Sequence, residues 1–163
     1  MRGTVDILGY NVELTAANNV SRPRDGFNIT SGSGGLLDVA AVQSFVTVNA
    51  DTDLAINGGA SVTGIGDPEA PGDVLFAVTT DMDLTDRVSL DAGGAIAVPV
   101  GESTVKVASN TADLTIGNVD IFTVGDLEIV AGGDTNLKAE SNAKSYGLAG
   151  AATATTEATY YSD

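Results

Sequence analysis

Cysteine, histidine and tryptophan are absent from the sequence, and only four tyrosines and four phenylalanines supply aromatic surface. Without histidine or cysteine there is no Ser-His-Asp triad, no Cys-His pair and no ordinary zinc site. Without cysteine there are no disulfides, which by itself does not separate an intracellular from an extracellular protein. Basic residues are few: 7 Lys and Arg face 22 Asp and Glu, for a net charge of −15. A surface of that sign repels nucleic acid and anionic membranes, so both are excluded as partners. No apolar run reaches the roughly 18 residues of a membrane-spanning helix, which excludes helical insertion. Met1-Arg2-Gly3-Thr4 leads directly into strand-like sequence, so any export signal is expected to lie outside these residues.

Scarce aromatics can accompany disorder, but the hydrophobic fraction is 43% and comes from Val, Ile, Leu and Ala in clear alternation. Twenty glycines punctuate that alternation. Such a composition suits thin, regular layers better than a bulky centre.

The dominant feature is an internal repeat. GGLLDVAAVQSFVTVNADTDLAING from Gly34 aligns with GGAIAVPVGESTVKVASNTADLTIGN from Gly93, an offset of about 59 residues. Val39 falls on Val98, Ser44 on Ser103, Val46 on Val105 and Val48 on Val107. One inserted residue then brings Leu54 onto Leu114 and Ile56 onto Ile116. A third opening starts at Tyr146, YGLAGAATATTEAT, and Glu13-Leu14-Thr15-Ala16-Ala17 resembles Glu128-Ile129-Val130-Ala131-Gly132. The chain therefore reads as one repeat segment over 1–163, with units at 1–33 (partial), 34–92, 93–145 and 146–163 (partial).

Within the repeats, runs of three to six residues alternate apolar and polar and are separated by Gly, Asn and Asp, which predicts short strands. Asn57-Gly58-Gly59 predicts a turn. Gly66–Asp73, with two prolines, predicts a loop excursion, and Ser21–Gly26 predicts another. Pro99, aligned with Ala40, cannot donate a ladder hydrogen bond and predicts a corner or bulge. The Ala- and Thr-rich stretch from Ala149 to Ala158 reads as strand through its alignment with the Gly-Gly openings. The repeat predicts an all-β fold, a parallel β-helix, with each unit divided into about three rungs of about 20 residues. The alternative is an antiparallel β-sandwich. Neither end carries a helix, a polar cap or a charged terminal strand, so either this is part of a longer stack or copies associate end to end.

Carboxylates are the remaining source of chemistry. Asp51, Asp53, Asp81 and Asp83 form two Asp-x-Asp pairs whose oxygens suit calcium, the one metal ion the sequence suggests; the alternative is a hydrated acidic face. The calcium-binding GGxGxDxUx repeat and the EF-hand loop are both absent. Carbohydrate cleavage would need facing carboxylates, and Arg87 is the only basic residue near the central acids. Thr153 and Thr155 alone do not make the flat threonine array that ice binding requires.

The Gly-Gly openings, SFVTVNADTDLAI, DRVSLDAGGAIA and the closing DLTIGNVDIFTVGDLEIVAGGDTNLKAESNAKSYGLAG resemble the repeat region of giant bacterial filamentous adhesins, the leukotoxin-like and filamentous-haemagglutinin-like surface proteins. The resemblance runs from about Val12 to Thr156. It implies a secreted, right-handed β-helical shaft that holds a binding tip away from the cell, with host-surface or biofilm glycans as expected targets; the missing catalytic residues separately predict that the protein is not an enzyme. Its immediate partners would be adjoining repeats or further copies of itself. The alternative function is a secreted β-helix that binds or cleaves carbohydrate.

Overall fold

The computed structural model describes residues 5–22 and 28–161, so most of the predicted Ser21–Gly26 loop lies outside the described residues. Nine strands and no helix make up the secondary structure of the described residues: β1 (Asp6–Gly9), β2 (Val12–Arg22), β3 (Asn28–Ile56), β4 (Ser61–Gly64), β5 (Val74–Ile116), β6 (Asp120–Thr123), β7 (Leu127–Gly132), β8 (Thr135–Gly150) and β9 (Thr153–Tyr160). Every register resolved between them is parallel. Asp6 pairs with Ser61, Ser61 with Asp120, Val74 with Leu127 and Val100 with Thr153. Parallel pairing rules out the antiparallel sandwich for these strands.

The offsets also correct the expected rung length. Hydrogen-bonded neighbours lie 53 to 59 residues apart, as Val74 with Leu127 and Ser61 with Asp120 show, so a whole repeat separates one tier from the next. Three tiers result: β1 to β3, β4 and β5, and β6 to β9. The expected short strands merge into long ones for the same reason. Gly, Asn and Asp bend the backbone, but its ladder to the next tier continues through the bend. A straight strand of 43 residues would run on the order of 140 Å. Strand β5 does not; its own Asp86 and Ser103 side chains meet at 2.5 Å, so it folds back.

The chain forms two compact units. One takes residues up to Asn19, Ala50–Asp81 and Asn110–Asp134; the other takes Val20–Asn49, Met82–Ser109 and the residues from Thr135 onward. Each repeat thus contributes to both, because the long strands β2, β3 and β5 each contribute residues to both.

In the first unit β4 is the centre of a three-stranded sheet in the order β1-β4-β6. Val12, Ile56, Val62, Val74 and Phe76 form its core, with Leu14, Leu114, Ile116 and Ile121 packed on them. The predicted turn before β4 contains Gly59 at φ 89°, a conformation that favours glycine. The predicted excursion at 66–73 is also present. Gly66 takes φ 61°, and the Asp67 carboxylate accepts the Glu69 and Ala70 N–H groups at 2.8 and 2.7 Å.

In the second unit the central part of β5 pairs with β8 and β9 and also borders β3. Met82, Leu84, Val88 and Leu90 point inward at alternate positions, and Val105 and Val107 do the same beyond the fold-back. Pro99 sits where the ladder lapses: Ala97 pairs with Gly150 and Val100 with Thr153, while Pro99 itself is buried. The Ala- and Thr-rich stretch forms β9 and the end of β8, as its alignment predicts.

Burial is concentrated in the middle tier. Apart from Val12, Ala50 and Ile56, every buried hydrophobic side chain among the described residues lies between 62 and 107. Among the described residues, strand β5 has a neighbouring tier on each side, whereas β3 and β8 each have one only. The outer tiers therefore leave apolar surface uncovered.

Candidate functional site

The four candidate calcium ligands occupy outward-facing positions. Asp51, Asp53 and Asp81 belong to the first unit and Asp83 to the second, and all four are exposed. Strand alternation puts Asp51 and Asp53 on one face, but the bonds run across the ladder instead of within the pair. Asp51 accepts from the Thr111 hydroxyl at 3.0 Å, Asp81 from the Asp134 N–H at 3.0 Å and Asp83 from the Asn136 amide at 3.0 Å. Among the described residues no group of three or more acids is placed to hold a metal ion.

The strongest polar cluster was not legible in the sequence. Asp86 is fully buried in the second unit and pairs with the Arg22 guanidinium at 2.9 Å. Its carboxylate also accepts from Ser44 at 2.8 Å and Ser103 at 2.5 Å. Ser44 and Ser103 are the equivalent serines of the repeat. Only the alignment of those two hinted at the site, since nothing local brings residues 17 and 42 positions away onto Asp86. A second buried carboxylate, Asp38, accepts from Ser33 at 2.6 and 2.8 Å and from the Gly93 N–H at 3.2 Å. Both carboxylates are satisfied and shielded, which suits cross-linking of tiers and not catalysis.

A surface groove of about 310 Å³ in the second unit is lined by Thr30, Arg87, Ser89, Glu140 and Asn142. Glu140 bridges Lys138 and Arg87. The Lys138 ammonium foremost, and then Arg87, hold the Glu140 carboxyl below the ordinary carboxylate range. A lowered carboxylate pKa contributes stability above the unfolded value that disappears as pH falls through the folded one. Because the pair is exposed, the effect is small. Glu140→Gln should lower the urea midpoint only slightly at pH 7, with the difference from wild type fading as pH falls below the ordinary carboxylate range. Among the described residues that line this groove, Glu140 is the one carboxylate.

The remaining feature is the uncovered margin of the outer tiers. In the second unit, Leu36 is 83% exposed on β3 and Leu148 is 95% exposed on β8, with Leu37, Val39, Phe45 and Tyr146 also exposed. The first unit has a cavity of about 400 Å³ lined by Val5, Ile7, Leu14, Leu54 and Ile56, all from the first tier. Among the described residues β3 and β8 each pair with β5 alone, so each lies at a sheet edge.

Comparison with protein-family models, curated proteins and solved structures gives no match.

Proposed function

We propose that this chain is a parallel β-solenoid acting as a structural or adhesive shaft, or as a self-stacking fibre subunit, outside the cell or on a bacterial surface. The support is the repeat-long parallel register, which stacks equivalent residues over one another and buries most of the core in the tier covered on both sides. In a solenoid each repeat contacts its neighbours alone, and uncovered terminal repeats invite association. No helix among the described residues is long and apolar enough to cross a membrane. The acidic surface keeps a dense array hydrated, and the resemblance to filamentous adhesins points to the same role. The buried carboxylates serve as cross-links between tiers in this reading, and the protein is not an enzyme.

Negative-stain electron microscopy of the pure chain, with and without calcium, tests the reading. Uniform fibres or slender rods of constant width are expected. A change of length or order with calcium that disappears when Asp51, Asp53, Asp81 and Asp83 are replaced by Asn would support calcium binding at these outward aspartates. Compact globular particles with no elongated form would contradict the shaft.

A further inference from the structure

Glycine recurs at one register position of all three tiers in the second unit. Gly94 pairs with Gly147, and Gly35 stands at the same place of the repeat, one residue after the Gly34 that aligns with Gly93. In the second and third tiers the reason is steric. A Cβ on Gly94 would lie 2.2 Å from the Gly35 carbonyl oxygen, and one on Gly147 would lie 2.0 Å from the Gly94 carbonyl oxygen. Each tier presses its glycine against the carbonyl of the tier before it.

Gly35 meets no such neighbour. The nearest atom to a Cβ there is the Leu37 carbonyl oxygen, at an ordinary 3.6 Å, and Gly35 does not have a positive φ. Among the described residues nothing requires glycine at this position. The exposed Leu36 and Leu37 follow it directly, and the exposed Tyr146 and Leu148 flank Gly147 on the opposite margin.

We infer that the open side of β3 is a contact site for a second copy of this chain, whose β8 places its Gly147 carbonyl against Gly35 as Gly35's own carbonyl is placed against Gly94. The match is one of register. Successive tiers set Leu36, Ala95 and Leu148 in one column, so the joint would set Leu148 of one copy beside Leu36 of the next. It continues the ladder already present between β3, β5 and β8 and covers apolar side chains on both margins. Heterologous contact of this kind does not close, and it produces a filament. This inference rests on the solenoid reading and adds the partner and the register. A charge of −15 on each copy opposes the contact, so it should strengthen with salt.

The test is sedimentation velocity on the pure chain at about 0.15 M salt, with circular dichroism and melting run in parallel. Wild type should assemble with rising concentration. Gly35→Ala should keep the spectrum and melting temperature while raising the concentration needed for assembly at least tenfold, about 1.4 kcal/mol. Because the sequence lacks cysteine, a mixture of Leu36→Cys and Leu148→Cys chains should form a mixed disulfide that Leu36→Cys chains alone do not. Equal assembly by Gly35→Ala would overturn the register and leave Gly35 as an inheritance of the repeat. A β-rich wild type that stays monomeric would overturn the second copy as occupant while leaving the solenoid reading intact. A wild type without β structure would remove both.

Discussion

Asp86→Ala is expected to lower the unfolding free energy by about 3 kcal/mol, because it removes a fully buried carboxylate that holds Arg22, Ser44 and Ser103 together. Arg22 is 17% exposed and loses the carboxylate 2.9 Å away. The Ser44 and Ser103 hydroxyls lose their acceptor in the same step. Removing one partner of a buried pair costs more than the pair is worth, since the desolvation of the survivor is no longer offset. Replacing both partners tells the two quantities apart. The double variant Arg22→Met, Asp86→Leu should be more stable than Asp86→Ala but stay below wild type by about 1–2 kcal/mol, because the buried Ser44 and Ser103 hydroxyls still lack the carboxylate. Urea denaturation with a common slope measures both. A loss under about 1 kcal/mol for Asp86→Ala would mean that Arg22 finds water or another acceptor without penalty.

Gly94→Ala is expected to cost about 3 kcal/mol, at the upper end of overpacking penalties. The added methyl would lie 2.2 Å from the Gly35 carbonyl oxygen and 3.2 Å from its carbonyl carbon. Those are backbone atoms held in a ladder, so relief requires tiers to move apart and not a side chain to rotate. Gly132→Ala is the matched control, since a Cβ there meets nothing within 4 Å. It should stay within about 0.5 kcal/mol of wild type. Similar midpoints for the two variants in urea would show that the tiers do not approach as closely as described.

Much of this frame is visible in the residues. The alignment offset reappears in contacts: Gln43 bonds Glu102 at 59 residues, and after the inserted residue Thr111 bonds Asp51 at 60. Repeat texture survives because stacking repeats the environment of each residue, so equivalent positions face equivalent constraints. Rung length was hidden because a bend that keeps its ladder and a bend that ends a strand use the same Gly, Asn and Asp residues. The Asp86 site was hidden for another reason. Strand alternation shows that Asp86 faces inward but not which residue faces it across the fold-back. The outward aspartates read as pairs along the chain, yet their bonds run between tiers to Thr111, Asp134 and Asn136.

The tiers pair in parallel at a repeat-long offset. Parallel strands keep a constant difference between partners, whereas antiparallel strands keep a constant sum. Three doubly spin-labelled chains separate these cases: cysteines introduced at Asp83 and Asn136, at Asp91 and Lys144, and at Lys106 and Thr159, all of them ladder partners. Labels on adjacent strands about 4.8 Å apart broaden each other's spectra strongly. Strong dipolar broadening in all three chains is the predicted result. Broadening in one chain at most would contradict the parallel register, and with it the stacked tiers, the solenoid and the inferred joint between copies.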